Sequence, residues 1–356
     1  MHVGMAVVFQ NPSRTVSDHE VYRDELRLAG LAEPLGFGSI WGVEHHFTSY
    51  TMCPDVLQFL SYMAGTTRRI QLGSMVVVLP WHDPMRVAEQ VSMLDAMSDG
   101  RFVFGMGRGL GRVEFEGFRL DMEESRATFV ESAQMILRGL EDGYCEFDGK
   151  FVRQPRRDIR PRPRTSFRGR SYAAAVSPES SRLVAELGLG ILIIPQKPWE
   201  MVAEELAEYR RIYRDVNDAE APAPISSGWV FCDESPDRAE ELARRYIGGY
   251  WQSVVDHYEL DGDHFARTRG YESYARTQEM VSSEGGLDAM IEFFLGLQVW
   301  GTPEQCFDRV VEIQKRIGSR WFNGVFSYAA MPYAEAERNL RLFASKVRPE
   351  LEKLEL

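Results

Sequence analysis

Ile70-Gln71-Leu72-Gly73-Ser74-Met75-Val76-Val77-Val78-Leu79-Pro80 is an apolar, β-branched run of strand length stopped by a proline, and the two segments after it decide the fold. Pro84 opens a helical segment whose Val87, Val91, Leu94 and Met97 fall on one face. Arg101 to Met106 is again a strand-length run. A strand, a helix with one apolar face and a second strand form the repeating unit of a parallel sheet covered by helices.

The unit recurs in both directions. Towards the N-terminus, Val3 to Phe9 and Phe37 to Val43 read as strands, with helices over Val16 to Leu35, ended by Gly36, and over Asp55 to Gly65. Towards the C-terminus, a helix over Glu123 to Leu140 precedes a strand at Tyr172 to Val176 and a helix at Glu179 to Leu187. Strands at Gly190 to Ile194, Ile225 to Cys232 and Phe322 to Tyr328 alternate with helices at Trp199 to Asp215 and Pro303 to Ile317. Eight alternations predict an α/β fold, a (β/α)8 TIM barrel, although an open doubly wound sheet satisfies the same periodicity. A barrel uses about 250 residues. Read as one barrel domain over 1–356, the chain carries its surplus at about 143–171 and at 233–300, the latter between strand seven and its helix.

The later insertion has a composition of its own. Tyr250, Trp251, Tyr258, Phe265, Tyr271, Tyr274, Phe293 and Phe294 accompany His257 and His264. It comes after the C-terminal end of a strand, where barrel enzymes place active-site loops, so it is expected to be partly helical and to wall a substrate pocket. A structural cap and an oligomer contact are the alternatives. Pocket residues are expected from loops 44–53, 106–118 and 233–300.

Composition bounds the function classes. Hydrophobic residues at 44%, charged at 26% and aromatic at 12% exclude collagen-like, disordered and disulfide-scaffold chains. No window approaches 18 uncharged apolar residues, and Met1-His2-Val3-Gly4 does not begin a signal peptide, so a cytoplasmic protein without a membrane span is expected. Cys53, Cys145, Cys232 and Cys306 are too dispersed for a metal cluster or disulfide framework and read as reduced thiols. Lys plus Arg is 41 against 53 Asp plus Glu, a net charge of −12 that repels phosphate backbones. The basic stretch from Arg153 to Arg170, broken by Pro155, Pro161 and Pro163, reads as an extended surface connection whose arginines pair with carboxylates. No nucleic-acid partner is expected.

Three motifs could carry chemistry. Gly105-Met106-Gly107-Arg108-Gly109-Leu110-Gly111 is a poor dinucleotide fingerprint, because its glycines alternate around an arginine. It reads as a glycine-cleared strand end from which Arg108 can reach a phosphate, or as a flexible turn with a solvated arginine. Glu44-His45-His46-Phe47 comes directly after strand two. Adjacent histidines on extended backbone diverge, so they do not share a metal, and one of them should face the barrel mouth as a proton-handling imidazole. Ser177-Pro178-Glu179-Ser180 is good helix-start chemistry, and its exposed amides and hydroxyls equally make an anion site on which Arg108 could converge.

In order along the chain these segments resemble the bacterial luciferase-like, flavin-dependent monooxygenases. Gly42 to Thr48, Arg69 to Gly73 with Val76 to Pro80, Asp83 to Glu89, and Leu94-Asp95 with Ser98 to Phe102 carry the resemblance. So do Phe104 to Gly109, Ser177 to Ser180 and Gly301-Thr302-Pro303-Glu304-Gln305. The resemblance implies an eight-stranded barrel binding FMN at its C-terminal face. The flavin would arrive reduced, as FMNH2, from a separate NAD(P)H:flavin reductase, and would react with molecular oxygen through a flavin hydroperoxide to oxygenate an apolar or aromatic small molecule. It further implies that Arg108 holds the FMN phosphate with Ser177 and Ser180, that His45 is the catalytic histidine, that Met75-Val76 is a cis peptide beside the flavin ring, and that the protein is a homodimer. No metal is implied. Two positions depart from luciferase: Gly107 stands where luciferase has a cysteine, and Val176 where it has an acidic residue before the phosphate-binding serine. A deazaflavin-dependent hydride-transfer enzyme and a non-catalytic flavin-binding barrel are the rival readings on the same fold.

Overall fold

The eight apolar runs fold as strands at the expected places. The computed structural model describes residues 1–356 apart from Val176, Glu284 and Leu356, so the end of the fifth predicted strand lies outside the described residues. The chain begins with β1 (His2–Val7), α1 (Asp18–Ala29), β2 (Ser39–Gly42), α2 (Val56–Thr66), β3 (Gln71–Ser74), β4 (Val77–Val78) and α3 (Pro84–Met97). It continues through β5 (Phe102–Gly107), α4 (Arg112–Phe118), α5 (Ser125–Asp142), β6 (Tyr144–Asp148), β7 (Arg153–Asp158), β8 (Ser171–Ala174) and α6 (Pro178–Glu186). Next come β9 (Gly190–Ile193), α7 (Trp199–Asn217), β10 (Ile225–Cys232), α8 (Pro236–Tyr258), α9 (Glu272–Ser282) and α10 (Gly286–Leu297). β11 (Val299–Gly301), α11 (Pro303–Ile317), β12 (Trp321–Val325), α12 (Tyr333–Lys346) and α13 (Arg348–Glu352) complete it.

Parallel pairing runs β1-β2-β3-β5-β8-β9-β10-β12 and returns from β12 to β1, where Met5 lies opposite Gly324. The ring is closed, which decides for the TIM barrel and against the open sheet. Helix starts match their sequence signals. Asp83 caps α3 by accepting from the Arg86 N–H, and Thr302 and Gln305 form a reciprocal capping box on α11.

The third strand departs from expectation. Ile70 to Leu79 reads as one run, but the chain breaks into β3 and β4 around a cis Met75–Val76 peptide. Where β3 hands over to β4, the Ser74 hydroxyl replaces the backbone ladder. It donates to Gly105 O at 2.8 Å and accepts from Gly105 N–H at 2.9 Å. β4 then rejoins β5, with Val77 opposite Met106 and Val78 opposite Gly107. The contact requires glycine at 105, since a Cβ there would lie 1.9 Å from Ser74 O, a backbone atom. Gly105→Ala is therefore expected to destabilise the fold by about 3 kcal/mol, the upper part of the overpacking range. Urea unfolding measures it, and a loss below about 1 kcal/mol would mean that β3 shifts freely.

Residues 143–171 contain an antiparallel ribbon of β6 and β7, so part of the stretch read as an extended connection is a strand. Several of its arginines find carboxylates, Arg170 with Asp95 at 2.5 Å, Arg160 with Asp158 at 3.0 Å and Arg168 with Glu141 at 3.8 Å, while Arg156 lies over the Tyr144 ring instead. In 233–300, Ser235 caps α8 directly after β10, and α9, α10 and β11 come before α11, which packs beside α7. β11 pairs with β10 outside the ring, Val230 opposite Val299, and is too short to be legible as a strand in the sequence. All four cysteines are free and buried. Among the described residues no helix is long and apolar enough to cross a membrane.

One carboxyl of α1 is buried behind the exit of β12 and forms no ion pair among the described residues. Glu25 of α1 is 2% exposed and accepts from the Ser327 hydroxyl at 2.6 Å. Burial pushes its carboxyl up to about 7 from an ordinary 4.5, against the Ser327 hydrogen bond. A raised carboxyl contributes stability that is complete below pH 4.5 and lost as the pH rises through 7. Glu25→Gln is expected to remove this component. Thermal unfolding at pH 5 and pH 8, either side of that folded value, should show a smaller drop in Tm for the variant than for the wild type; equal drops would show that Glu25 ionises freely.

Candidate active site

β2 delivers the chain to the C-terminal face of the barrel, where Val43 to Phe47 turn across it and Phe47 takes a left-handed φ of 65°. The adjacent histidines diverge as extended backbone requires. His46 turns outward: its Nε2 lies 3.2 Å from Glu44 Oε1, which His82 Nε2 also meets at 2.6 Å, while Glu44 Oε2 accepts the Val78 N–H at 3.0 Å. Burial works to raise the Glu44 carboxyl, but the His46 and His82 hydrogen bonds outweigh it and hold the group below its ordinary range. These contacts tie the β2 exit to the start of β4.

His45 turns inward. Its Nδ1 lies 2.9 Å from Glu114 Oε1 and its Nε2 3.3 Å from the Tyr258 hydroxyl. Glu114 reaches it from α4 and is fully buried, with Oε1 also accepting the His46 backbone N–H at 2.9 Å. Burial opposes its charge, yet His45 and His257 hold the carboxyl down to about 2. His257 of α8 approaches the other carboxylate oxygen, with its Nε2 3.5 Å from Glu114 Oε2. The ligand atoms of His45, Glu114 and His257 lie within 4.8 Å of one another.

His45 forms part of the wall of a cavity in the barrel mouth. Val8, Val43, Met75, Ile194 and Val325 line it from the strand ends, and Gln196, Ser227 and Trp229 line it from β9 onwards and β10. Tyr250, Trp251, Val254 and Tyr258 of α8 and Phe294 of α10 close it. The insertion thus supplies much of the wall, and loop 44–53 contributes His45, Tyr50 and Thr51. Loop 106–118, also expected to line the pocket, adds no lining residue and acts through Glu114 behind His45. Trp229 and Gln196 had no distinguishing signal. All eight residues of β10 are buried, so no alternation marks which of them face the mouth. The indole N–H groups of Trp229 and Trp251 are buried without a hydrogen-bond partner among the described residues.

A second corner gathers cations. Arg108 leaves β5, donates from Nη1 to Gly270 O at 2.9 Å, and lies over the Tyr271 ring at 3.8 Å. Arg126, near the start of α5, donates from Nη2 to the same carbonyl at 3.2 Å, and its Nε is buried without a partner among the described residues. Arg126 also reaches Glu179 Oε2 at 3.5 Å, which ties it to the first turn of α6. There the Ser177 hydroxyl accepts the Ser180 N–H at 3.2 Å, and the two hydroxyl oxygens are 3.0 Å apart. Of the residues chosen from sequence, Ser177 and Ser180 meet each other, and Arg108 meets Arg126 at Gly270 O. Arg126 was missed because nothing marks it in an ordinary helical stretch. Two guanidinium groups, two hydroxyls and a helix N-terminus are the donor set that a phosphate takes, and the aromatic cavity with unpartnered indole donors suits a planar ring with polar edges. The residues present therefore fit FMN. Between the two regions, a Cβ at Gly107 would lie 2.4 Å from Val76 Cγ2, so a side chain there requires Val76 to move. Val176, the other departure from luciferase, lies outside the described residues.

The family model for luciferase-like monooxygenases matches residues 1–320. The alkanal monooxygenase alpha chain of Photorhabdus luminescens is 27% identical over 342 residues, covering 94% of this chain and 93% of that protein. Among solved structures, a monooxygenase from Streptomyces bottropensis superposes with a TM-score of 0.80 at 25% identity, over 98% of this chain and 99% of that one. The oxygenating constituent of 3,6-diketocamphane monooxygenase of Pseudomonas putida, in complex with FMN, gives 0.73 at 17% identity over 100% and 99%. The coenzyme F420-dependent tetrahydromethanopterin reductase of Methanopyrus kandleri gives 0.66 at 18% over 99% and 100%. The last two likenesses are of fold, and that fold serves both kinds of flavin.

Proposed function

This chain belongs to the luciferase-like monooxygenase family, and from that premise we propose that it is an FMN-dependent monooxygenase. In this reading it takes reduced FMN from a separate NAD(P)H:flavin reductase in the cytoplasm and uses molecular oxygen to oxygenate an apolar or aromatic small molecule. The observation that carries the reading is an imidazole held by a buried carboxylate at the wall of an aromatic cavity in the barrel mouth, and two arginines that share the Gly270 carbonyl support it as candidate phosphate ligands.

Bound reduced flavin supplies the two electrons and the carbon that reacts with oxygen. The protein supplies the rest. Arg108 and Arg126 would hold the phosphate through charge-assisted hydrogen bonds, Ser177 and Ser180 would add hydroxyl donors, and Met75 and Val76 would pack against the ring. Tyr250, Trp251, Tyr258 and Phe294 exclude water from the reacting atoms. Glu114 accepts from His45 Nδ1, which leaves Nε2 to take up or return a proton at the cavity wall. The apolar or aromatic character of the substrate is set by the walls. A second copy of the chain would cover Tyr62 of α2 and Met93 and Met97 of α3, large apolar side chains exposed on neighbouring helices, to give the homodimer.

Parallel anaerobic titrations with reduced FMN and reduced deazaflavin, followed by admission of oxygen, test the proposal. Binding of reduced FMN and oxygen uptake that rises with an apolar substrate are the expected results. Binding of the deazaflavin alone, without oxygen chemistry, would move the protein to hydride transfer, and retained flavin without turnover would make it a binding barrel.

A further inference from the structure

A proton-handling His45 does not explain why a second imidazole is buried behind its carboxylate. Glu114 Oε1 is occupied by His45 Nδ1 and the His46 N–H, both at 2.9 Å. Oε2 faces His257 Nε2 at 3.5 Å, longer than a formed hydrogen bond, and neither atom has a hydrogen-bond partner among the described residues. Glu114 is inaccessible and His257 is 4% exposed, so solvent does not serve them. The approach depends on Gly111, where a Cβ would lie 2.5 Å from Glu114 Oε2 and 3.2 Å from His257 Nε2.

The two neighbours of His257 together favour one placement of its hydrogen. Nδ1 lies 2.8 Å from the Thr48 hydroxyl oxygen, which itself accepts the Tyr50 N–H at 3.4 Å. The Thr48 hydroxyl can donate or accept, but the Glu114 carboxylate facing Nε2 only accepts, so the arrangement that suits both neighbours has Nδ1 accepting from Thr48. Burial favours the neutral imidazole, although Glu114 draws the other way. A neutral ring accepting at Nδ1 carries its hydrogen at Nε2, aimed at Glu114.

We infer that His257 is a positioning residue: the chain Thr48–His257–Glu114–His45 orients the Glu114 carboxylate so that His45 is held as its Nδ1–H tautomer, with Nε2 unprotonated beside the Tyr258 hydroxyl at the cavity wall. The inference rests on the proposed role of His45 and adds what sets that role. It also gives a function to a histidine contributed by α8, part of the insertion that closes the cavity.

Flavin-free protein labelled with 15N at histidine tests it, because ring nitrogens bearing a hydrogen are distinguished directly by their shifts. His257→Phe keeps the ring that stacks on Tyr50 at 4.5 Å but has no N–H. His257→Gln restores a side-chain N–H. Wild type and the glutamine variant should show His45 as the Nδ1–H tautomer, and the phenylalanine variant should show a mixture of both. In steady state, kcat should fall about tenfold in the phenylalanine variant, the weight of one hydrogen bond, and recover in the glutamine variant with reduced-FMN affinity unchanged. If His257→Phe does not fold, Thr48→Val frees the His257 tautomer and should give the same mixture at His45. A wild-type tautomer at His45 in the phenylalanine variant, or in Thr48→Val where it is the one that folds, would overturn the inference. So would one equivalent of Zn2+ shifting both rings together, which would make the cluster a metal site. The tautomer readout needs no flavin, so failure to bind FMN would sink the functional reading and leave this result standing.

Discussion

Alanine at both Arg108 and Arg126 is expected to weaken reduced-FMN binding about 10³-fold, the combined weight of two charged hydrogen bonds. Each arginine alone is expected to contribute about 1.5–3 kcal/mol. The two guanidinium groups meet at one carbonyl, Gly270 O, so their losses should not add in full. In either single variant the remaining arginine keeps that carbonyl as partner, which preserves the local fold and makes the pair interpretable. Added salt should narrow the difference between wild type and variant, since the anion interaction is screened. The decisive control is reduced riboflavin, which has the same ring and no phosphate. Wild type and double variant should bind it alike. A double variant that loses riboflavin as strongly as FMN has lost its cavity rather than a phosphate contact, and one that keeps FMN at wild-type affinity removes both arginines from the flavin site.

How far each feature could be read from the sequence depends on how local its signal is. The barrel was legible because each strand and helix declares itself within about ten residues. Arg108, Ser177 and Ser180 stood out because each sits at the junction of a strand and a helix, where composition changes abruptly. The broken third strand was hidden from periodicity, since Met75-Val76-Val77-Val78 is as apolar and β-branched as an unbroken strand would be. The device that bridges the break, Ser74 with Gly105, joins residues 31 positions apart. The support of His45 lies further from view. Glu114 is 69 positions from it, and the Thr48–His257 contact spans 209. Sequence patterns place residues on faces, and such pairings exist only once the barrel has closed. Arg126 shows the same limit, because its partner Gly270 O lies 144 positions away in a connection between helices.

His45→Ala should lower coupled turnover by about 10²–10⁴-fold, the usual span for losing a proton-transfer group. The alanine variant alone would be ambiguous, because it also strips Glu114 of a partner. Glu114 is held down to about 2 against burial by His45 and His257. A depressed carboxyl contributes stability that is present above its ordinary 4.5 and is lost as the pH falls through about 2. Without His45 that support shrinks, so the alanine variant should unfold at a higher pH on acidification than the wild type. His45→Asn separates the two effects. Its amide nitrogen can stand near the position of Nδ1 and keep donating to Glu114, while nothing replaces Nε2 at the cavity wall. The asparagine variant is therefore expected to recover most of the acid stability and none of the turnover. It should also bind reduced FMN within about threefold of wild type, since the phosphate contacts that carry affinity are untouched. Oxygen should still be consumed, but as hydrogen peroxide released without oxygenated product, because reduced flavin transfers its two electrons to oxygen whether or not substrate captures an oxygen atom. If the asparagine variant couples oxygen to product at the wild-type rate, His45 handles no proton in the reaction, and its bond to Glu114 serves the fold alone.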